Sequence, residues 1–242
     1  MNSDKRIYFI LKRIIDITGA LSILLILSPL FLVIAILIKL ESKGSIFYPS
    51  KRVGRYYKEF DFYKFRSMRQ DADHLLKSMV FTNQYESDEK TEFIGAPDAE
   101  MLWCDEGWVN EQAWVMEKEA AQPFIKINND PRITRIGKFI RSTSIDELPQ
   151  LFNVLKGDMS LVGNRPLPLY EAEQLTKDEE IARFFAPAGI TGLWQVTERG
   201  KANVSAESRK QLDVDYAEKC SLWLDMWILF KTPVAALQQE NV

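Results

Sequence analysis

Histidine is nearly absent from this chain, with His74 the only one among 242 residues. A multi-histidine metal site is thereby excluded, and a Ser-His-Asp triad is possible only through His74. Cysteine is almost as scarce. Cys104 and Cys220 stand far apart with no second cysteine beside either. That argues against a disulfide framework or a thiolate zinc site and fits a reducing cytoplasm. Acid–base or nucleophilic chemistry is therefore expected to rest on carboxylates. Charge of one sign is also missing overall, since the formal net charge is only −3. The balance conceals an asymmetry: residues 1–77 hold 14 Lys/Arg against 7 Asp/Glu, and residues 78–122 hold 2 against 11. A basic block that contains an apolar run suits a protein held against anionic lipid headgroups. No nucleic-acid motif accompanies it, so nucleic acid is not expected as a partner.

What the chain does have is hydrophobic residues at 46% and charged residues at 27%, the composition of a globular body rather than a disordered one. Ile17 to Ile38 runs 22 residues without a charge, long enough to cross roughly 30 Å of hydrocarbon as one helix. Ser28-Pro29 lies near its middle. Proline has no N–H to donate and its ring collides with the carbonyl of Leu25, so a kink or break is expected there. Each half is then roughly 15 Å long, half a bilayer. Lys5, Arg6, Lys12 and Arg13 precede the run, and Lys39, Lys43, Lys51, Arg52 and Arg55 follow it. Positive residues keep to the cytoplasmic side, and here both flanks are positive. A helix-break-helix that enters and leaves by one face is favoured over a spanning anchor.

Beyond it, short strands are expected at 45–49 and 60–68 around a turn at Gly54, with Phe60, Phe62, Lys64 and Arg66 on one face. A cation pair at the end of an aromatic row could hold a phosphate, although charges that protect a strand edge explain it as well. Residues 78–122 form an acidic excursion with Trp103, Trp108 and Trp114, expected on the side away from the membrane. Asn129-Asp130-Pro131 reads as a helix start. After it, Ile133, Ile136 and Ile140 make a greasy face opposite Arg132, Arg135, Lys138 and Arg141. Ser142 to Glu147 resembles a helix beginning, with Ser144 and Glu147 at capping-box spacing. There Asp146 and Glu147 are open to two readings. They cap a helix, or they form an ionised pair beside a phosphate site, one facing substrate and the other holding a metal. Arg165 is delivered by the tight turns Gly157–Ser160 and Gly163–Pro166, and 187–195 is another glycine-punctuated loop. A helix over 221–237 carries Trp223, Leu224, Trp227, Leu229 and Phe230, which suit core packing and interfacial docking equally.

Several ordered motifs together resemble the monotopic phosphoglycosyl transferases, the bacterial sugar transferase family. They are the Ser28-Pro29 break, Tyr63–Met68, Arg141–Leu148, Leu151–Ser160, Gly163–Pro166 and Gly189–Gly192. The set covers nearly the whole chain except 78–122. The resemblance implies a mostly helical α/β fold with few short strands. A re-entrant membrane helix at 1–43 would be followed by a catalytic domain with interfacial helices at 44–242, which contains the insertion at about 78–122. It implies a bacterial inner-membrane enzyme, monotopic at the cytoplasmic face, that moves sugar 1-phosphate from a UDP-sugar to undecaprenyl phosphate, releases UMP and initiates a surface glycan. Asp146 would be the nucleophile and Glu147 the Mg²⁺ ligand, while Lys64, Arg141 and Arg165 would steady phosphate oxygens. Self-association or contact with glycosyltransferases of the same pathway would be further partnerships. Two departures from the pattern stand out. The usual Gly-Pro-Arg-Pro reads Gly163-Asn164-Arg165-Pro166, and the usual Pro-Gly-Ile-Thr-Gly carries an inserted Ala188. The competing readings are a metal-dependent glycosyltransferase built on Asp213-Val214-Asp215 or Asp71-Ala72-Asp73, and a non-catalytic membrane scaffold using the tryptophan-rich stretch.

Overall fold

The computed structural model describes residues 3–69, 101–104, 107–110, 132–175, 178–198 and 206–237. The chain forms two compact units, residues 1–68 with 134–242, and residues 69–133. Helices dominate the described part and its strands are short.

Helix α1 runs from Ser3 to Glu41 with Pro29 inside it. The expected break at Ser28-Pro29 is thus no interruption of the helix as an element. The reason is local: the Ser28 hydroxyl donates to the carbonyl of Leu25 at 2.9 Å, the acceptor that Pro29 leaves without its backbone donor. The stretch Lys5–Glu41 is long and apolar enough to cross a membrane. One side of α1 packs inward through Ala20, Leu24, Leu30, Phe31, Ile34 and Ile38. The other side leaves Leu25 67% and Ile26 75% exposed, with Leu21, Leu32, Val33 and Ile36 also open. Each such side chain gains about 1.5–3 kcal/mol on leaving water completely, so this face is suited to an apolar surrounding.

Polar residues of α1 are there for the body of the first unit. Asp225 accepts from Lys12 Nζ at 2.7 Å, from Tyr8 at 2.9 Å and from Tyr216 at 2.7 Å, all buried. Asp16 accepts from the Ser160 hydroxyl at 2.9 Å and the Leu161 N–H at 2.8 Å. Arg13 donates to the carbonyls of Val154 and Leu155. At the far end, Glu41 accepts the Arg135 and Ile136 N–H groups at 2.7 and 2.9 Å, and Arg66 donates to Ser42 O at 2.7 Å. Both ends of one apolar helix are therefore bound to the same compact unit.

Strands β1 (Phe47–Val53) and β2 (Glu59–Phe65) form an antiparallel pair, Phe47 opposite Phe65 and Val53 opposite Glu59. Phe60 and Phe62 point inward as their alternation requires. In the second unit, β3 (Met101–Cys104) pairs antiparallel with β4 (Gly107–Asn110). The rest of the acidic stretch 78–122, together with His74, Asp71–Asp73 and Asn129–Pro131, lies outside the described residues.

Helix α2 (Arg135–Ser142) begins later than the Asn129–Pro131 signal suggested. Its cap is Thr134, whose hydroxyl accepts from Gly137 N at 2.8 Å, and Glu41 takes the first free N–H groups. Gly137 is required by contact: a Cβ there would lie 1.9 Å from Ser67 O. Ile136 and Ile140 pack on α1, with Ile140 fully buried.

Helix α3 (Gln150–Lys156) lies along β2. Asn153, with no exposed surface, accepts from Tyr63 N at 3.0 Å and donates to Asp61 O at 2.6 Å. Its amide thus occupies the outer edge of β2, which a bare strand would offer to solvent. Strand β5 (Ser160–Val162) pairs in parallel with β6 (Gly189–Thr191), with Ser160 opposite Gly189 and Val162 opposite Thr191. The remaining helices are α4 (Leu169–Leu175), α5 (Leu193–Thr197), α6 (Ala206–Lys219) and α7 (Leu222–Leu237). In α7, Leu224, Ile228 and Leu229 enter the core, while Trp223 and Phe230 stay more than 80% exposed. Core packing therefore holds for one face of this helix, while the other presents the exposed tryptophan and phenylalanine.

Candidate functional site

Between β2, α2, the turn at Ile145–Glu147, the segment after β5 and α5 lies a cleft of about 410 Å³. Lys64, Arg141, Asp146, Glu147 and Arg165, singled out from sequence, all line it. Each is aimed by a simple local device. Lys64 sits next to the last residue of β2, directly after the Tyr63 amide that Asn153 fixes. Arg141 lies in the last turn of α2. Ser144 adopts the left-handed conformation at φ 56° and turns the chain from α2 into a single 3₁₀ turn, Ile145–Glu147. Non-glycine residues adopt that region at a cost, and strain of this kind gathers at functional sites. The capping box expected between Ser144 and Glu147 is not formed, because Ser144 makes no side-chain cap bond in this conformation. The Glu147 carboxylate goes instead to Lys64.

That lysine joins the pair. Lys64 Nζ is 2.8 Å from Glu147 Oε1 and 3.5 Å from Asp146 Oδ2. Ile145 and Leu148, on either side of the acids, pack into the cluster of Ile34, Ile38 and Phe65. The acid pair is thereby seated directly on the second half of α1. Asp146 is only 8% exposed. Burial pushes its carboxyl above the ordinary range, Lys64 and Arg141 pull it down, and the neighbouring Glu147 raises it again. For Glu147, desolvation also acts upward, but Lys64, Arg165 and Gln150 together outweigh it and hold the group below its usual value. Two adjacent carboxyls are thus pushed in opposite directions, a separation of roles typical of acid pairs that work differently.

Arg66, the other half of the expected cation pair, is spent on Ser42 O and stays out of the cleft. Ser28 and Pro29 belong to α1 and take no part in it. The glycine-punctuated segments are used to let backbones cross: a Cβ on Gly189 would lie 2.1 Å from Gly163 N. The far wall holds Trp194, whose ring lies 6.0 Å from the Arg165 guanidinium and 5.2 Å from that of Arg209. Arg52 and Gln150 also line the cleft and were not among the site residues expected from sequence. Gln150 stands four residues after Asp146, a helical spacing that pointed to the same face.

The Asp-x-Asp alternative finds no support at Asp213 and Asp215. Asp213 is 3% exposed and paired with Arg183, and Asp215 pairs with Lys219 at 3.2 Å. Burial lifts the Asp213 carboxyl to about 6, against the pull of Arg183 and Arg165. Among the described residues no three His, Cys, Asp or Glu gather into a metal cage. A divalent ion here would rely on one or two carboxylates and on oxygens of its ligand, which is how Mg²⁺ is commonly held.

The cleft thus holds an acid pair bridged by lysine and rimmed by arginines, packed against a long apolar helix. The chain belongs to the bacterial sugar transferase family, whose sequence profile matches residues 7–239. It is 39% identical over 240 residues to the undecaprenyl-phosphate galactose phosphotransferase of Salmonella typhimurium, covering 99% of this chain and 43% of that protein. It is 35% identical over 231 residues to the exopolysaccharide production protein ExoY of Rhizobium meliloti, covering 95% and 87%. An N-acetylgalactosaminephosphotransferase of Aeromonas hydrophila that acts with undecaprenyl phosphate is 36% identical, covering 93% and 43%. The chain thus spans less than half the length of several of the curated relatives it matches.

Proposed function

We propose that the protein transfers sugar 1-phosphate from a UDP-sugar to undecaprenyl phosphate and so begins a surface glycan. An Asp146 carboxylate oxygen attacks the β-phosphorus, the bond from that phosphorus to the bridging oxygen breaks, and UMP leaves with the electron pair. A phosphate oxygen of the lipid carrier then attacks the same phosphorus. The aspartyl bond breaks, and the carboxylate is restored as the lipid-diphosphate sugar departs. The observation that carries this reading is the single lysine shared by a buried aspartate and a more open glutamate inside a cationic cleft. Lys64, Arg141 and Arg165 line the same cleft and would receive phosphate oxygens. Glu147, kept ionised, would hold Mg²⁺, which when bound neutralises diphosphate charge. Relatives named for undecaprenyl-phosphate sugar phosphotransfer support the substrate class.

The test is UMP release from a panel of UDP-sugars with undecaprenyl phosphate, run with Mg²⁺ and with excess chelator. Metal-dependent UMP release is the expected result, with a sugar-phosphate adduct on Asp146 in mass spectra of the protein without acceptor. Release of UDP in place of UMP sinks the proposal.

The same proposal makes α1 re-entrant, with the catalytic unit at the cytoplasmic face. A straight helix of 39 residues is roughly 58 Å long. Yet Lys12 and Asp16 near its start and Glu41 at its end all bind one compact unit. A perpendicular span would draw the polar surface of that unit into hydrocarbon, where each group left without a partner costs several kcal/mol. Tags placed before residue 5 and after residue 43 in the cell should both be reachable only from the cytoplasm. A tag exposed to the periplasm at either point rules re-entry out.

A further inference from the structure

Arg165 reaches the cleft from a short segment with no regular structure of its own, so something else must fix its aim. The residue before it supplies the fixation. Asn164 is 5% exposed. Its side-chain Nδ2 donates to two backbone carbonyls, Arg183 O at 2.9 Å and Asp213 O at 2.8 Å. Its own N–H donates to Pro187 O at 2.9 Å, and its carbonyl accepts from Gly189 N at 2.8 Å. These four bonds tie one residue to the 3₁₀ stretch Asp178–Phe185, to α6 and to the start of β6. On either side, Gly163 N donates to Thr191 O and Leu167 O accepts from Val53 N, each at 2.8 Å. Arg165 is therefore the exposed crest of a segment clamped before and after it.

We propose that Asn164 is a positioning residue for Arg165, holding the guanidinium over the Trp194 end of the cleft through its two side-chain donor bonds. Proline, which the usual motif carries here, has neither those donors nor an N–H for Pro187 O. In this chain the asparagine amide supplies by hydrogen bonding the rigidity that a proline ring supplies by covalent geometry. The Arg183–Asp213 ion pair, buried immediately behind, keeps both acceptor carbonyls in place. The amide orientation is fixed by the same contacts, since only the NH₂ end can serve two carbonyl oxygens.

The proposal rests on Arg165 binding substrate phosphate, and its test separates the two ideas. Asn164→Ala, Asn164→Leu, Arg165→Ala and the double variants are compared for kcat and KM in UMP release, with thermal unfolding measured alongside. Asn164→Ala is expected to lower kcat/KM about 10- to 100-fold, as misplacement of a substrate-holding group does. In the Arg165→Ala background the same change is expected to cost less than about twofold, because the residue it aims is gone. Asn164→Leu keeps the volume without the donors and should behave like the alanine variant. Equal losses in both backgrounds mean a purely structural role and overturn the proposal. Should the wild-type protein release no UMP, the functional reading fails by itself. A crystal structure of Asn164→Ala then decides: Arg165 displaced from Trp194 upholds the positioning role, and Arg165 unmoved ends it.

Discussion

Asp146→Asn should leave a folded protein whose UMP release is slower by at least about 10⁴-fold, the scale expected when a covalent nucleophile is removed. Asparagine has the same shape and retains a carbonyl oxygen, but it has no anionic oxygen with which to form an acyl-phosphate bond to phosphorus. Unfolding does not account for such a loss. Burial raises the Asp146 pKa, so the folded state disfavours the ionised form. Below the unfolded-state pKa the group is neutral in both states, and the cost of burying the charge appears as pH rises through the folded-state value. At neutral pH the native aspartate therefore carries that cost, and the neutral asparagine amide would not. Melting at neutral pH should be unchanged or higher for the variant, while the sugar-phosphate adduct disappears from its mass spectrum. Activity near the wild-type level, with purity verified, would remove Asp146 from the chemistry.

The sequence made the acid pair legible because Asp146 and Glu147 are contiguous and the residues beside them carry the motif. Lys64 and Arg165 came from separate motifs, yet each lies at the end of a strand or next to one, where alternation and turn chemistry identify its surroundings. What local pattern could not supply was partnership across long separations. Arg66 resembled Lys64 in the sequence, but it is drawn away by the end of α1 at Ser42. Helix α2 has its local cap in Thr134, but its first N–H groups go to Glu41, almost a hundred residues earlier. At Ser28-Pro29 the freed carbonyl is satisfied by the serine, while the helix runs on as one element. Asn153 was visible only as one letter of a motif. Its role as the partner of β2 requires both strand and helix to be in place.

Lys64→Met should lower kcat/KM by about 10²–10³-fold at its pH plateau, the range for losing one preorganised electrostatic contact to a developing anion. It should also change the shape of the pH profile, and that change is the more specific mark. Lys64 favours the charged forms of both acids, at 2.8 Å from Glu147 and 3.5 Å from Asp146. Without it, burial and the negative Glu147 act on Asp146 with only Arg141 opposing them. The pH at which Asp146 becomes a carboxylate then moves upward, and with it the acid limb of kcat/KM, which reports groups of the free enzyme. The ratio of variant to wild-type activity should accordingly rise with pH. Lys64→Arg keeps the charge and should hold the limb near its wild-type place even if the fork geometry lowers the plateau. A lysine that only clasped phosphate would lower the plateau and leave the limb where it was. An unmoved limb in Lys64→Met, or one moved to lower pH, would show that the short contacts to both carboxylates do not set the charge of the nucleophile.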